Sequence, residues 1–298
     1  MTRLGRAELI ASLETLAERC SGRLAVSARD LTTGEAVSLH GGEILPTASV
    51  IKVPILVELL RQVQTGRLAL ETRVSLRSED QIGGSGILKA FGTGLQPTLL
   101  DVATMMIILS DNTATNIAID AIGGVEPVNR TMSGLGFPTI QLHNRIDFGL
   151  IGSDVRRLGE ASTDDLCALV HGIAGRTMVS PWVSETAEAI MEGQQYLDQV
   201  PRYMMATPYW RELGQVPTLR IACKTGFFTG TRVDAGIVRF AATGGGFAYA
   251  VANHELADVS FGPEAEGVII NGLVGKALLS HWWPADVDLP VFATAYGR

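Results

Sequence analysis

Lysine is scarce in this chain, with four residues against twenty arginines in a length of 298. Two of the four stand in short patterns that suit catalysis: Ser49-Val50-Ile51-Lys52 and Lys224-Thr225-Gly226, with Ser110-Asp111-Asn112 between them. Arginine already supplies the general surface charge, so lysine at these places suits another task. Its amine, unlike a guanidinium, can lose a proton in a desolvated site and act as a base.

Ser49 and Lys52 are three residues apart, so on a helix they share a face and can hydrogen-bond. Ser49 is expected in the first helical turn, where the dipole and unpaired backbone donors favour a developing anion. A serine hydroxyl is a weak nucleophile that needs a neighbouring base, and a desolvated Lys52 supplies one. Ser110-Asp111-Asn112 reads as the break between two helices, with Asp111 able to cap while Ser110 and Asn112 face a cleft. Lys224-Thr225-Gly226 reads as a strand end, where Gly226 lets a substrate approach the edge closely.

The elements that must position these groups follow from periodicity. Residues 1–20 read as an amphipathic helix with a stripe of Leu4, Ile10, Leu13 and Leu16, and 22–40 as a β-hairpin around Thr32-Thr33-Gly34. From Ser49 the spacing of Val53, Leu56, Val57, Leu60 and Val63 is helical, with Pro54 tolerated near the helix start. Helices are expected over 99–109 and from Asn112 to Gly123-Gly124, and 143–160 reads as a long ordered loop. Strands are expected over 218–224, 234–242 and 246–253, followed by a helix over 264–279. This order gives an α/β chain of the α+β type: a discontinuous lobe of 1–59 and 206–298 enclosing a helical lobe of 60–205, which carries the 143–160 loop.

Bulk properties exclude several classes. Apolar content of 46% and charged content of 18% fit a globular enzyme. A net charge of −7 argues against nucleic acid or an anionic membrane as partner. Cys20, Cys167 and Cys223 form no C-x-x-C pair and read as free, partly buried thiols of a reducing compartment. The five histidines show no metal-ligand spacing, so neither metal nor cofactor is expected. Gly83-Gly84-Ser85-Gly86 and Gly92-Thr93-Gly94 read as loops. The N-terminal stretch does not read as a signal peptide and no run reaches membrane-span length, so the expectation is a cytoplasmic protein.

Taken together, the three motifs occur in an order and on elements that resemble the class A β-lactamase and penicillin-binding-protein superfamily. The likeness runs from the 22–40 hairpin to Trp282-Trp283. It implies a β-lactamase-like fold, with an antiparallel sheet flanked by helices plus an all-helical lobe. It also implies roles. Ser49 would be the acylated nucleophile, Lys52 its proton acceptor, and Ser110 the relay toward the leaving group. Asn112 would hold a substrate amide oxygen. Lys224 and Thr225, with Gly226 and Arg232 beside them, would bind a substrate carboxylate. The N–H groups of Ser49 and Phe227 would form the oxyanion hole. The implied substrate is a small molecule, a β-lactam or a carboxylate-bearing amide or ester.

One departure concerns the 143–160 loop. Class A enzymes carry a glutamate there, two residues after an arginine, which activates the deacylating water. Here Arg145 is followed two residues later by Asp147, a carboxylate one methylene shorter, and Ile151 stands where an asparagine usually helps hold the water. Arg145 is expected to pair with Glu160 and pin the loop ends. The expectation is intact acylation with weakened turnover of β-lactams. A peptidase, amidase or esterase of the same fold, and a covalent β-lactam sensor, remain as alternatives.

Overall fold

The structure, a computed structural model, describes residues 3–284. It begins with α1 (Arg6–Arg19), the paired strands β1 (Arg23–Asp30) and β2 (Ala36–Leu39), and the short β3 (Ile44–Pro46). A 3-10 turn, Ala48–Ile51, leads into α2 (Lys52–Gln64). Then come α3 (Leu99–Ile108), α4 (Asn112–Ile122), α5 (Glu126–Gly134) and β4 (Gln141–Leu142). The short α6 (Phe148–Ile151) precedes β5 (Gly159–Ser162), α7 (Thr163–Ala174) and α8 (Pro181–Met191). Three long strands, β6 (Leu219–Phe228), β7 (Thr231–Phe240) and β8 (Gly246–His254), and α9 (Glu266–Trp282) complete the described chain.

The main sheet is antiparallel, in the order β2-β1-β8-β7-β6. This is the mixed α/β, antiparallel arrangement that the sequence implied. The alternation along β8 explains why the sheet carries a core on each face. Phe247, Tyr249 and Val251 point with the bulky residues toward α1 and α9, while Ala248, Ala250 and Ala252 point toward the α2 side. Small side chains on that second face let α7 lie close against β1, β7 and β8. A strand buried on both faces reads as a continuous apolar run.

Local chemistry fixes the helix ends near the site. Thr98 and Asp101 form a reciprocal capping box on α3, and Asp111 caps α4 through the N–H of Ala114 at 2.9 Å. Gly123 ends α4 with φ +92°, a conformation open to glycine at little cost. Helix α2 is buried on all sides from Lys52 to Leu60, as a central core helix must be. Its one carboxylate, Glu58, is compensated by Arg61 and Gln62 on the same helix and by Thr131 from α5.

Three expectations are adjusted. The buried stripe of α1 is Leu9, Leu13 and Leu16, with Leu4 and Ile10 packed at its margin. Ser49 lies in the 3-10 turn rather than in α2 itself. Strand β6 continues past Lys224 to Phe228 and turns through Thr229-Gly230 into β7, so Lys224-Thr225-Gly226 lies inside a strand. Among the described residues no helix is long and apolar enough to cross a membrane.

Candidate active site

Ser49 sits where the 3-10 turn, edge strand β6 and the 146–158 loop meet, at a cleft of about 200 Å³ that also exposes Ser85, Asn112 and Phe227. The preceding residue, Ala48, holds φ +43°, a strained value for a residue with a side chain. Packing enforces it. A Cβ placed on Gly226 would stand 2.8 Å from the Ser49 nitrogen and 3.0 Å from the Thr47 carbonyl. Only glycine lets β6 approach the backbone of Ser49 this closely.

Lys52 opens α2 with no exposed surface. Its Nζ donates to the Ser110 carbonyl at 2.7 Å, to Ser110 Oγ at 3.1 Å and to Asn112 Oδ1 at 2.9 Å. The amine is thus held by the Ser110–Asn112 turn; Ser49 is not among its hydrogen-bond partners, although the sequence spacing made that contact available. Burial, reinforced by the charge of Lys224 and opposed by Asp111, pushes the Lys52 amine well below its ordinary range.

Ser110 is also strained, with φ +53°. Its carbonyl is fixed by Lys52 and by Ser85 Oγ at 2.7 Å. Asp111 anchors the segment opposite, accepting from the N–H groups of Ile87 at 2.6 Å and Leu88 at 2.9 Å. Gly86 must be glycine, since its φ is +96° and a Cβ would meet the Asp111 carboxylate at 2.3 Å. Asn112 is shared among Lys52, Ser85 Oγ and the Gly83 carbonyl, to which its Nδ2 donates at 3.0 Å. The glycine cluster read as a plain loop therefore carries a residue of the site, Ser85.

On β6, Lys224 is fully buried and donates to the Thr225 carbonyl at 2.6 Å. Burial lowers its amine to about 7. Thr225 Oγ1 is buried without a hydrogen-bond partner among the described residues. Arg232 is also buried, and its guanidinium donates to the carbonyls of Phe228 and Thr231 at 2.7 Å each and to that of Ser260. It braces the β6–β7 turn against the 258–261 segment. The cysteines behave as core residues: Cys20, Cys167 and Cys223 are free and buried, and burial pushes the Cys167 thiol up to about 12.

The loop departs from expectation twice. Arg145 pairs with Asp120 of α4 at 3.2 Å, while Glu160, on the central strand of the β3-β5-β4 sheet, faces His143 at 3.5 Å and Arg156 at 3.6 Å. The loop ends are closed instead by β4–β5 pairing and by Asn144 Nδ2 on the Arg157 carbonyl at 2.8 Å. Asp147 does not line the cleft; its carboxylate caps α6 through the N–H groups of Gly149 at 2.8 Å and Leu150 at 3.3 Å. The loop wall of the cleft is formed by Ile146, Phe148, Ile151, Val155 and Leu158. Ile146 is set there by Asn116, whose amide both donates to its carbonyl and accepts from its N–H at 2.8 Å. Asn116 lies one helical turn after Asn112 on α4. That spacing puts both side chains on one face of α4, but nothing in it points to Ile146.

The sequence profile of the beta-lactamase enzyme family matches residues 8–282. Among solved structures, a beta-lactamase from Sphaerobacter thermophilus is 27% identical, with a TM-score of 0.80 over 93% of this chain and 97% of that one. A PBP-A variant determined as its acyl-enzyme complex with penicillin G is 25% identical, with a TM-score of 0.75 over 93% of this chain and 98% of that one. Beta-lactamases of Streptomyces lavendulae and Rhodobacter capsulatus are each 30% identical, over 56% and 45% of this chain and the same shares of their own lengths. The chain thus spans about half the length of these curated relatives. Fold, motif placement and the match across nearly the whole chain agree, and the chain belongs to the beta-lactamase enzyme family.

Proposed function

We propose that this protein is a serine hydrolase that works through an acyl-enzyme on Ser49, formed readily and released slowly. The observation that carries the reading is the buried Lys52 amine, held between Ser110 Oγ and Asn112 Oδ1 at the cleft that Ser49 lines. In the first step Ser49 Oγ bonds to the carbonyl carbon of a β-lactam or related amide or ester, and its proton passes to Lys52. The oxyanion lies against the N–H groups of Ser49 and Phe227. Loss of one donor of this kind typically costs about 10²–10³ in rate. As the carbonyl reforms, the C–N or C–O bond breaks, and the leaving atom takes a proton relayed from Lys52 through Ser110. Water then cleaves the ester on Ser49 and releases the acid.

The second half is the slow one, because among the described residues no carboxylate lines the cleft to activate that water. This favours the alternative within the same chemistry, an esterase or amidase of a small metabolite, over rapid antibiotic destruction. The three free, buried cysteines suit a reducing compartment such as the cytoplasm. Hydrolysis of a chromogenic cephalosporin by wild type and Ser49→Ala tests the reading. Slow turnover, abolished in a Ser49→Ala protein with unchanged circular dichroism, is expected. Turnover near wild type in that variant would end it.

A further inference from the structure

The cleft beside Ser49 has few polar side chains, those of Ser49, Ser85 and Asn112. The rest of its lining is mostly apolar, with Ile146, Phe148, Ile151, Val155 and Leu158 on the loop wall and Phe227, Phe228 and Phe261 from β6 and the 258–261 segment. Among the described residues no charged side chain lines it. Both walls are braced before any ligand arrives. Asn116 clamps Ile146 on one side. On the other, Phe261 meets Phe227 edge-to-face at 6.2 Å, and the Arg232 guanidinium lies 5.0 Å over the Phe261 ring. An apolar protein cavity of about 150 Å³ is enough to take up benzene, and this one measures about 200 Å³.

We propose that this pocket is an acyl-group subsite, and that the enzyme selects esters or amides whose acyl part is uncharged and apolar, an arylacetyl group or an alkyl chain of roughly six carbons. The proposal rests on the acyl-enzyme reading above and names its substrate class. In such a reaction Ser49 Oγ acquires the acyl group, the alcohol or phenol leaves with the proton relayed from Lys52, and water later releases the carboxylic acid. A charged acyl group would lose its hydration between these walls without gaining a partner, which is costly. Each methylene moved from water into the pocket is worth a factor of about three to four in the acylation rate constant.

The test is a series of p-nitrophenyl esters: acetate, butyrate, hexanoate, phenylacetate and the glutarate monoester. The Ser49-dependent part of kcat/KM is taken as the difference from Ser49→Ala. The expected result is a rise of more than tenfold from acetate to hexanoate, a good phenylacetate substrate, and a glutarate monoester at least tenfold below hexanoate. Val155→Phe, which fills the pocket, should lower the hexanoate-to-acetate ratio. Phe148→Ala, on the exposed side of the loop, should lower it too and does not depend on a core position. A flat Ser49-dependent profile, or preference for the charged acyl group, would overturn the subsite while leaving the acyl-enzyme in place. Ester turnover unaffected by Ser49→Ala would overturn both.

Discussion

Three acceptors surround Lys52 Nζ, and the protonation state of the amine decides what they do. As an ammonium it donates to all three; as a free amine it keeps two of those bonds and can accept a hydrogen bond from Ser110 at its lone pair. Burial and the nearby Lys224 charge favour the free amine at a pH where an exposed lysine is still charged. In the proposed mechanism that form takes the Ser49 proton, so acylation should slow as pH falls through the lowered Lys52 value. Lys52→Arg places in the same slot a guanidinium that stays charged. The expected loss is about 10²–10⁴ in the acylation rate, the usual worth of a positioned base, measured by stopped-flow with a chromogenic cephalosporin. A rate within tenfold of wild type would remove Lys52 from the role of base.

The 146–158 loop shows how an element can keep its place while changing its chemistry. Asp147 spends its carboxylate on capping α6, so lengthening it in Asp147→Glu should leave hydrolysis within a few-fold of wild type. Ile146 faces the cleft instead, and Ile146→Glu should raise the deacylation rate by about 10²-fold or more, the scale of general-base catalysis. Steady-state turnover of a cephalosporin by the two variants checks both statements. Spacing counted from Arg145 pointed to residue 147 because local counting has no access to the clamp from Asn116, thirty residues away. The same limit hid the Arg145–Asp120 pair. Signals within one element were legible: the 22–40 hairpin, the Asp111 cap and Gly123 stop of α4, and the three sequence motifs with their order. The two-residue turn at Thr229-Gly230 was missed because the apolar run was closed at the motif lysine, although Phe227-Phe228 and Thr231-Arg232-Val233 continue it on either side.

At the scale of the whole molecule, the main sheet carries opposed titrating groups in its interior. Asp234 on β7 is fully buried and accepts from Tyr249 at 3.2 Å and from the Val200 N–H at 3.0 Å, yet burial raises its carboxyl to about 8. An unfolded chain loses that proton near pH 4. Between about 4 and 8 the folded state binds more protons, so this group makes stability fall as pH rises. Lys224, lowered to about 7 against an ordinary value near 10.4, acts in the opposite sense. Above about pH 7 the unfolded state binds more protons, and stability rises toward pH 10. Thermal unfolding across pH 4 to 10 should therefore show a shallow trough near 7 to 8. Asp234→Asn should flatten its acid side. A trough unchanged by that substitution would exclude Asp234 as its source.

The central claim is a slow-leaving acyl group on Ser49, and intact-protein mass spectrometry with benzylpenicillin tests it most directly. The account predicts a single adduct carrying the full mass of the penicillin. It should form within the mixing time or soon after, persist long after the free drug is removed, map to Ser49 by peptide digestion and be absent from Ser49→Ala. An adduct on another residue, or a Ser49→Ala protein that is acylated as fast as wild type, would contradict it.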